Sequence, residues 1–362
     1  MSRSAGDATV APHANVPLAP LTTLGVGGPA RWYVRAESVE AVQAANRWAG
    51  ERALPLLVLG GGSNIVIADE GFDGLVLHVV MTGRDVRARG DEATLDAGAG
   101  EPWDRLVEAV VAEGYAGMEC LSGIPGLTGG TPIQNVGAYG QEVSGTIEHV
   151  TAVDRLSHEI IVIPNAECGF SYRQSRFKQS DAGRFIVCRV SFRVHKAPPT
   201  VTYPDVVAWV ERQRIPHPDV SDIRTAVLAI RRAKGMVLDA PDPDTRSVGS
   251  FFMNPIVPAE TQARLGAPAF PMSGGRVKIP AAWLIERAGF HRGFAAGLAG
   301  LSSKHPLAIT NRGGARAADI VDLACRIKRA VMDRHGVALR PEPVFVGFEQ
   351  DERVQFLQRE HD

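Results

Sequence analysis

Residues 117–140 read GMECLSGIPGLTGGTPIQNVGAYG, and this run fits neither a helix nor a strand. Seven glycines and two prolines interrupt every periodic template. After Glu119 there is no charged side chain, so the polar groups on offer are backbone amides, hydroxyls and the side-chain amides of Gln134 and Asn135. Glycine permits close backbone approach and positive φ, and consecutive N–H groups can then converge on an anion. A loop this long and this apolar is uncommon in a compact domain unless it lines a site. The stretch predicts an uncharged cradle for a phosphate-bearing ligand, with a plain surface loop as the alternative.

The remaining composition bounds the setting of that cradle. A chain of 362 residues exceeds the usual limit of one core, so two or three compact units are expected. Lys and Arg number 39 against 40 Asp and Glu, and a formal net charge of −1 gives no overall field for nucleic acid or an anionic membrane. No apolar run reaches the length of a membrane span, and the opening MSRSAGDATVAPHANVPLAP lacks the apolar core of a signal peptide. A cytoplasmic protein with a disordered leader is the expectation. Cys120, Cys168, Cys188 and Cys325 form no C-x-x-C pair and no ligand spacing, which predicts reduced thiols and no metal site. None of the ten histidines lies in an H-E-x-x-H pattern.

Gly25, Gly27 and Ala30 satisfy G-x-G-x-x-A, but Pro29 interrupts and ARWYVRA reads as a strand, so a dinucleotide fingerprint is the wrong reading. Val39, Val42, Ala45 and Trp48 recur at helical spacing, and LLVLGGGSNIVIADEGFDGLVLHVV alternates β-branched runs with turns. Within it, Gly60, Gly61, Gly62, Ser63 and Asn64 suit either an anion-facing loop or a tight hairpin. A hairpin over about 86–98, a helix from Trp103 and strands in TIEHVTAVDR, EIIVIP and RFIVCRVSFRVHK follow. Arg173 and Arg176 in FSYRQSRFK are candidates for a site or for charges that guard a sheet edge.

APPTVTYPDVVAW, with Tyr203 among prolines, reads as an irregular excursion. Asp219 caps the next helix, whose stripe is Val220, Ile223, Val227 and Ile230. Arg231, Arg232 and Lys234 complement its C-terminal dipole or hold a phosphate. APDPDT reads as a linker. Beyond it, Ser250 precedes two aromatics in SVGSFFMNP, and helices are expected at 259–265, 281–288 and 317–335. Glu342 lies between prolines in a closing strand, before a polar tail.

Taken together these motifs resemble the UDP-N-acetylenolpyruvoylglucosamine reductase family, flavoenzymes of peptidoglycan synthesis. TTLGVGGPA, VLGGGSN, IPGLTGGTPIQNVGAYG, FSYRQS, VGSFFMNP, KIPAAWLIERAG and RPEPVFVG occur in family order. The resemblance implies an α+β fold of the vanillyl-alcohol-oxidase (PCMH) type. In it residues 1–82 and 83–238 form two FAD-binding subdomains, with the 343–362 segment returning to the first, and 239–342 form a substrate-binding domain. It implies FAD on Gly60–Asn64 and on Ile124, Pro125, Gly126, Thr128, Gly129, Gln134, Asn135, Gly137, Ala138 and Tyr139, with NADPH as electron source. Because GGGSN and IPGLTGG contain neither His nor Cys, the FAD is expected to be non-covalent. Arg173, Ser250 and Glu342 match the family's catalytic arginine, proton-donating serine and carboxylate. Tyr203, Lys234 and Lys278 are assigned to the substrate, although Lys234 is followed by Gly235 and Met236 rather than the family's usual x-Pro. A monomer acting on a small-molecule UDP-sugar, without nucleic acid or membrane, is expected.

The chemistry independently explains these residue types. Hydride added at C3 of an enolpyruvyl group pushes charge toward C2 and the carboxylate, where a cation such as Arg173, oriented by or sharing a proton with Glu342, is useful. C2 then needs a proton, which a serine can give to a strongly basic carbanion. The rivals are an alcohol-oxidising flavoenzyme on the same scaffold and a non-catalytic nucleotide-sugar sensor. FSYRQS, VGSFFMNP and RPEPVFVG together argue against both.

Overall fold

The computed structural model describes residues 10–359, which divide into two compact units. The first comprises residues up to 16, 30–61 and 73–233, and the second 17–29, 62–72 and 234 onward. The expected leader lies partly outside the described residues. Where it is described, His13–Pro17 is the edge strand of a four-stranded sheet rather than disordered chain.

That sheet runs His13–Pro17, Pro29–Ala36, Phe72–Val79, Leu56–Leu59, the last two parallel with Leu56 opposite Leu75. A helix, Val39–Glu51, supplies the crossover that a parallel pair requires, and the Ser38 side chain caps it by accepting from the Ala41 amide. The second sheet of this unit is antiparallel, in the order Ile160–Pro164, Ile147–Asp154, Phe185–His195, Glu92–Gly98, Arg84–Arg89. Its central strand is buried on both faces over Ile186–Cys188 and Val190–Phe192, as an apolar run such as FIVCRVSF requires. One apolar core joins Leu75 and Leu77 of the first sheet, Leu95 and Phe192 of the second, and Leu106 of the Trp103–Ala112 helix. Trp103 is the hinge-pin: its ring lies 5.8 Å from Phe192 and its Nε1 donates to the Leu121 carbonyl at 3.0 Å. The helix thereby fixes the start of the glycine-rich run.

Two helices, Pro204–Arg212 and Val220–Ala233, close this unit around a satellite cluster of Cys120, Val206, Val210, Ile223 and Val227. The irregular excursion expected around Tyr203 is therefore shorter than it reads. Pro204 stands at the first helical position, where its fixed φ is helical and no N–H is needed. Asp219 caps the second helix as expected, accepting from Ser221 and Asp222.

In the second unit the Ala317–His335 helix buries Ile320, Leu323, Ile327 and Val331. Its first amides, Ala317 and Ala318, donate to the Asp69 carboxylate at 2.7 and 3.1 Å. A residue 248 positions away thus helps satisfy the helix end, beside Asp319, which accepts from the Arg316 amide at 2.8 Å. Ile65–Ile67 pairs in parallel with Val344–Val346. The closing polar tail proves to be a helix, Glu352–Gln358, and buried Lys328 holds its end by donating to the carbonyls of Phe356, Leu357 and Arg359 at 2.8–3.0 Å. APDPDT is no free linker either. Asp242 bonds Lys304, and Asp244 accepts from both the amide and the hydroxyl of Ser303. Among the described residues no helix is long and apolar enough to cross a membrane.

All four cysteines are buried and unpaired. Burial pushes the Cys120 and Cys188 thiols up to about 12 and those of Cys168 and Cys325 to about 11. Since the thiolate is the nucleophile, the folded protein should not react with a disulfide reagent such as DTNB at pH 8, and four thiols should titrate after denaturation. A rapidly reacting thiol in the native protein would contradict this packing.

Candidate functional site

The strands that flank Gly60–Asn64 do not pair with each other, which removes the hairpin reading: Leu56–Leu59 pairs with Phe72–Val79 and Ile65–Ile67 with Val344–Val346. The loop is instead defined by backbone approach. A Cβ on Gly61 would lie 2.7 Å from the Gly126 Cα, so the GGGSN and IPGLTGG loops touch backbone to backbone. A side chain at Gly129 would meet Ala99 Cβ at 2.5 Å. Among the described residues the amides of Gly61 and Gly126, both in the first unit, donate no hydrogen bond, whereas those of Thr128 and Gly129 are used on the Glu101 and Ala99 carbonyls. Amides left over by the fold, on glycines that admit close approach, are the donor set an anion such as a pyrophosphate needs. The residues fit a flavin dinucleotide. Thr128 and Gly129 shape this cradle rather than line it with amides.

Downstream the run closes as a small hairpin, Gly137–Ala138 against Gln141–Glu142, with Tyr139 at φ +50° and Gly140 at φ +88° in its turn. Positive φ at both central residues is what a two-residue hairpin turn asks for, and it strains a tyrosine by about 1–3 kcal/mol. Asn135 is also left-handed, at φ +47°, and buried. Its Nδ2 donates to Glu142 Oε2 at 2.7 Å and to the Ser171 carbonyl at 3.1 Å, while its Oδ1 accepts from the Ser144 amide. The Asn135 side chain therefore braces the loop from within. Gln134, Gly137, Ala138 and Tyr139 are half-buried along the same run.

Arg173 sits at the tip of a tight reversal in which Ser171 and Gln174 exchange backbone bonds, and its own φ is +56°. Its Nη2 donates to the Gly137 carbonyl at 2.7 Å, so the arginine is aimed at the glycine-rich run and not along a sheet edge. Arg176 has the bland role, paired with Asp181 at 2.7 Å and stacked over Phe185. Tyr203 is 37% exposed, and its ring meets Tyr139 edge-on at 5.2 Å. It joins the rim of this cluster.

Arg231, expected to complement the helix's C-terminal dipole or hold a phosphate, points into the interior. It is buried, with its guanidinium hydrogen-bonded to Tyr139 and close to Asp104 and Arg173. Burial lowers its pKa while Tyr139 and Asp104 raise it, and an arginine remains charged throughout. Asp104 accepts from both Nη groups of Arg224, at 2.6 and 3.1 Å, and from the Gly123 amide at 2.6 Å. Burial pushes the Asp104 carboxyl up, but Arg224, the Gly123 amide and Arg231 outweigh it and hold the group below the usual carboxylate range. Arg231 was findable in the sequence, because it follows Val227 by four and so falls on the buried stripe of its own helix. Asp104 and Glu142 gave no such signal.

In the second unit Ser250 and Glu342 are brought together by backbone. The Glu342 amide donates to the Phe251 carbonyl at 2.9 Å, Met253 donates to Arg340, and the Asn64 side chain donates to the Glu342 carbonyl at 3.3 Å. Phe251 and Phe252 are fully buried and anchor the segment, with Gly249 at φ +75° turning the chain into Ser250. Among the described residues no hydrogen bond engages the half-buried Ser250 hydroxyl. Lys278 lies on the Arg276–Lys278 strand with its Nζ 5.9 Å from the Phe270 ring, and Lys234 precedes Gly235 at the end of the helix.

Residues 30–156 match the model of an FAD binding domain, and residues 242–346 match that of the UDP-N-acetylenolpyruvoylglucosamine reductase C-terminal domain. The UDP-N-acetylenolpyruvoylglucosamine reductase of Thermobifida fusca is 47% identical over 348 residues, covering 92% of this chain and 97% of that protein. The enzyme of the same name from Salinispora arenicola is 46% identical over 354 residues, 93% of this chain and 96% of its own. Among solved structures, UDP-N-acetylenolpyruvylglucosamine reductase from Thermus caldophilus superposes with a TM-score of 0.66 at 25% identity, over 93% of this chain and 99% of that one. With its FAD-binding domain match, that likeness identifies the fold as the α+β vanillyl-alcohol-oxidase type.

Gly61→Val places a branched side chain against the Gly126 backbone. Overpacking of this kind costs about 1–3 kcal/mol, and FAD affinity should fall at least about fivefold, measured by titrating flavin into the apoprotein. Unchanged affinity would remove the Gly61–Gly126 contact from the cofactor site.

Proposed function

The chain belongs to the UDP-N-acetylenolpyruvoylglucosamine reductase family, FAD- and NADPH-dependent oxidoreductases of peptidoglycan synthesis, and we propose that its residues divide the reaction as follows. The substrate is the enolpyruvyl ether of UDP-N-acetylglucosamine and the product is UDP-N-acetylmuramate. FAD, when bound, would supply the hydride chemistry that links NADPH to C3 of the enolpyruvyl group. Gly60–Asn64 and Gly126 would hold its pyrophosphate through backbone amides, Ile124, Pro125, Thr128 and Gly129 shape that cradle, and the 134–139 run shapes the flavin pocket.

Hydride at C3 leaves an electron pair at C2 that spreads into the carboxylate. Arg173 stabilises that charge, a contribution of a few kcal/mol for one preorganised donor. Ser250 donates its hydroxyl proton to C2, and Glu342 orients the reacting groups and carries the proton that restores the serine. The observation that carries this assignment is the Ser250 hydroxyl itself, half-buried, engaged by no group among the described residues, and held on backbone bonded to Glu342. Tyr203, Lys234 and Lys278 bind the substrate, whose remote phosphates orient its reacting end. Residues 1–82 with 343–362, and 83–238, serve the cofactor, and 239–342 the substrate. The protein works as a cytoplasmic monomer, without nucleic acid or membrane.

Two measurements test the division. Tyr203→Phe should weaken substrate binding and spare flavin binding, the lost hydrogen bond costing roughly 0.5–1.5 kcal/mol, or up to about 3 if its partner is charged. An unchanged KM for the UDP-sugar would take Tyr203 out of the site. Ser250→Ala should bind FAD and be bleached by NADPH at the normal rate, while reoxidation by substrate slows by about 10²–10⁴. Stopped-flow absorbance separates the two half-reactions, and far-UV circular dichroism checks folding around Phe251 and Phe252. Equal slowing of both would make Ser250 a flavin-pocket residue and leave Glu342 as the acid to examine.

A further inference from the structure

TTLGVGGPA is no dinucleotide fingerprint, yet the second unit sets it between the end of the GGGSN loop and the segment that carries Ser250. Leu24 and Val26 are buried in one core with Val66, Phe251 and Phe252, which makes the stretch a fixed part of that unit. Its turn is closed twice. The Gly25 amide donates to Thr22 Oγ1 at 3.1 Å, and Asn311 Nδ2 donates to the Leu24 carbonyl at 3.1 Å from 287 positions away.

Within this anchored turn Thr23 bonds two segments that are far apart in the chain. Its amide donates to the Gly62 carbonyl at 3.0 Å, and its hydroxyl donates to the Ser247 carbonyl at 2.7 Å. The first contact is close-packed: a Cβ on Gly62, whose φ is +60°, would lie 2.0 Å from the Leu21 carbonyl oxygen and 2.8 Å from Thr22 Cα. The second leads toward the active serine. Ser247 is buried, and its own hydroxyl accepts from the Gly249 amide at 3.1 Å, across the turn in which Gly249 has φ +75°. Hydrogen bonds thus run from Gly62 through Thr23 and Ser247 to Gly249, the residue before Ser250. A second tie joins the same loop to the carboxylate segment, because Asn64 Nδ2 donates to the Glu342 carbonyl at 3.3 Å and the Val344 amide donates to the Asn64 carbonyl at 3.0 Å.

The Ser250 hydroxyl makes no bond of its own among the described residues, so its place is inherited from its main chain. Whatever fixes that main chain fixes the donor. Proton delivery depends on the donor standing within hydrogen-bond reach of the reacting atom, and small misplacements caused from outside the site can slow a reaction greatly.

We propose that Thr23 is a positioning residue: by bonding both Gly62 and Ser247 it sets the Ser250 hydroxyl relative to the Gly62–Asn64 end of the cofactor loop. The inference rests on the reading of Ser250 as the proton donor.

The test is stopped-flow absorbance of the two half-reactions in the full-length holoenzyme, with far-UV circular dichroism and bound-flavin content as checks on folding. Thr23→Val keeps the amide and the shape of the side chain but removes the hydroxyl. Bleaching by NADPH should stay within about twofold of wild type, while reoxidation by the UDP-sugar enolpyruvate slows about three- to tenfold, the effect of one ordinary hydrogen bond. Thr23→Ser retains the hydroxyl and should reoxidise at close to the wild-type rate. Normal reoxidation in a folded Thr23→Val protein would overturn the proposal. So would equal slowing of both half-reactions, or a Thr23→Ser variant no faster than Val, because packing alone would then explain the threonine. Should Thr23→Val fail to fold, Thr23→Ala drops the same hydroxyl without setting a methyl group against the Ser247 carbonyl and is judged by the same criteria. Ser250→Ala reports separately on the donor: if it slows both half-reactions alike, the donor reading fails, whereas selective slowing in Ser250→Ala with normal reoxidation in Thr23→Val refutes Thr23 alone.

Discussion

The closeness of two glycine backbones is the constraint on which the proposed cofactor site depends. Gly61 approaches Gly126 so nearly that a Cβ on Gly61 would lie 2.7 Å from the Gly126 Cα, and the amides of both donate no hydrogen bond among the described residues. Backbone donors carry no charge and no rotamer freedom, so they bind an anion without desolvating a cation and without freezing a long side chain. The cost is conformational, because glycine loops lose more freedom than any other chain on ordering. Much of the first unit can be understood as the means of meeting that cost: Trp103 pins the run at Leu121, and Thr128 and Gly129 tie it to Glu101 and Ala99.

A second tier keeps strained residues in place. Asn135, Tyr139 and Arg173 all have positive φ, and all lie in or against the glycine-rich run. Left-handed non-glycine residues persist only where surrounding contacts over-determine them. Here Glu142 and Ser171 grip Asn135, Arg231 bonds Tyr139, and the Gly137 carbonyl holds Arg173. Arg231 is tolerable in the interior because Asp104 and the Tyr139 hydroxyl answer its charge, and Asp104 in turn is answered by Arg224. Removing one member of such a set leaves a buried charge without its complement, which is more damaging than the net worth of the pair suggests.

The second unit solves a different problem, that of holding a serine hydroxyl free of internal bonds. Its neighbours Phe251 and Phe252 are buried, and the Phe251 backbone next to it is bonded on both sides, its amide donating to Leu307 and its carbonyl accepting from Glu342. The side chain is then positioned by its main chain alone. The same unit satisfies its helix ends with distant groups, Asp69 for the Ala317–His335 helix and Lys328 for Glu352–Gln358.

Pattern alone determined a good deal. The helices at 39–51, 103–112, 220–233 and 317–335 and the strands of the five-stranded sheet follow from apolar period, and the glycine-rich run was legible as a ligand loop from its composition. The motifs around Arg173, Ser250 and Glu342 pointed to the family and its chemistry. What escaped was everything settled by partners far along the chain. The GGGSN loop reads equally well as a hairpin until its flanking strands are found in different sheets. APDPDT reads as a linker until Lys304 and Ser303 meet its aspartates, and Arg231 reads as the complement of a helix dipole or a phosphate until Tyr139 and Asp104 surround it. Asp104 carries no local signal, since its role exists only through Gly123 and Arg224. Periodicity and backbone propensity are local and survive in the sequence; the partner of a polar group, and hence whether it is solvated, braced or catalytic, is decided by tertiary contacts that no local pattern encodes.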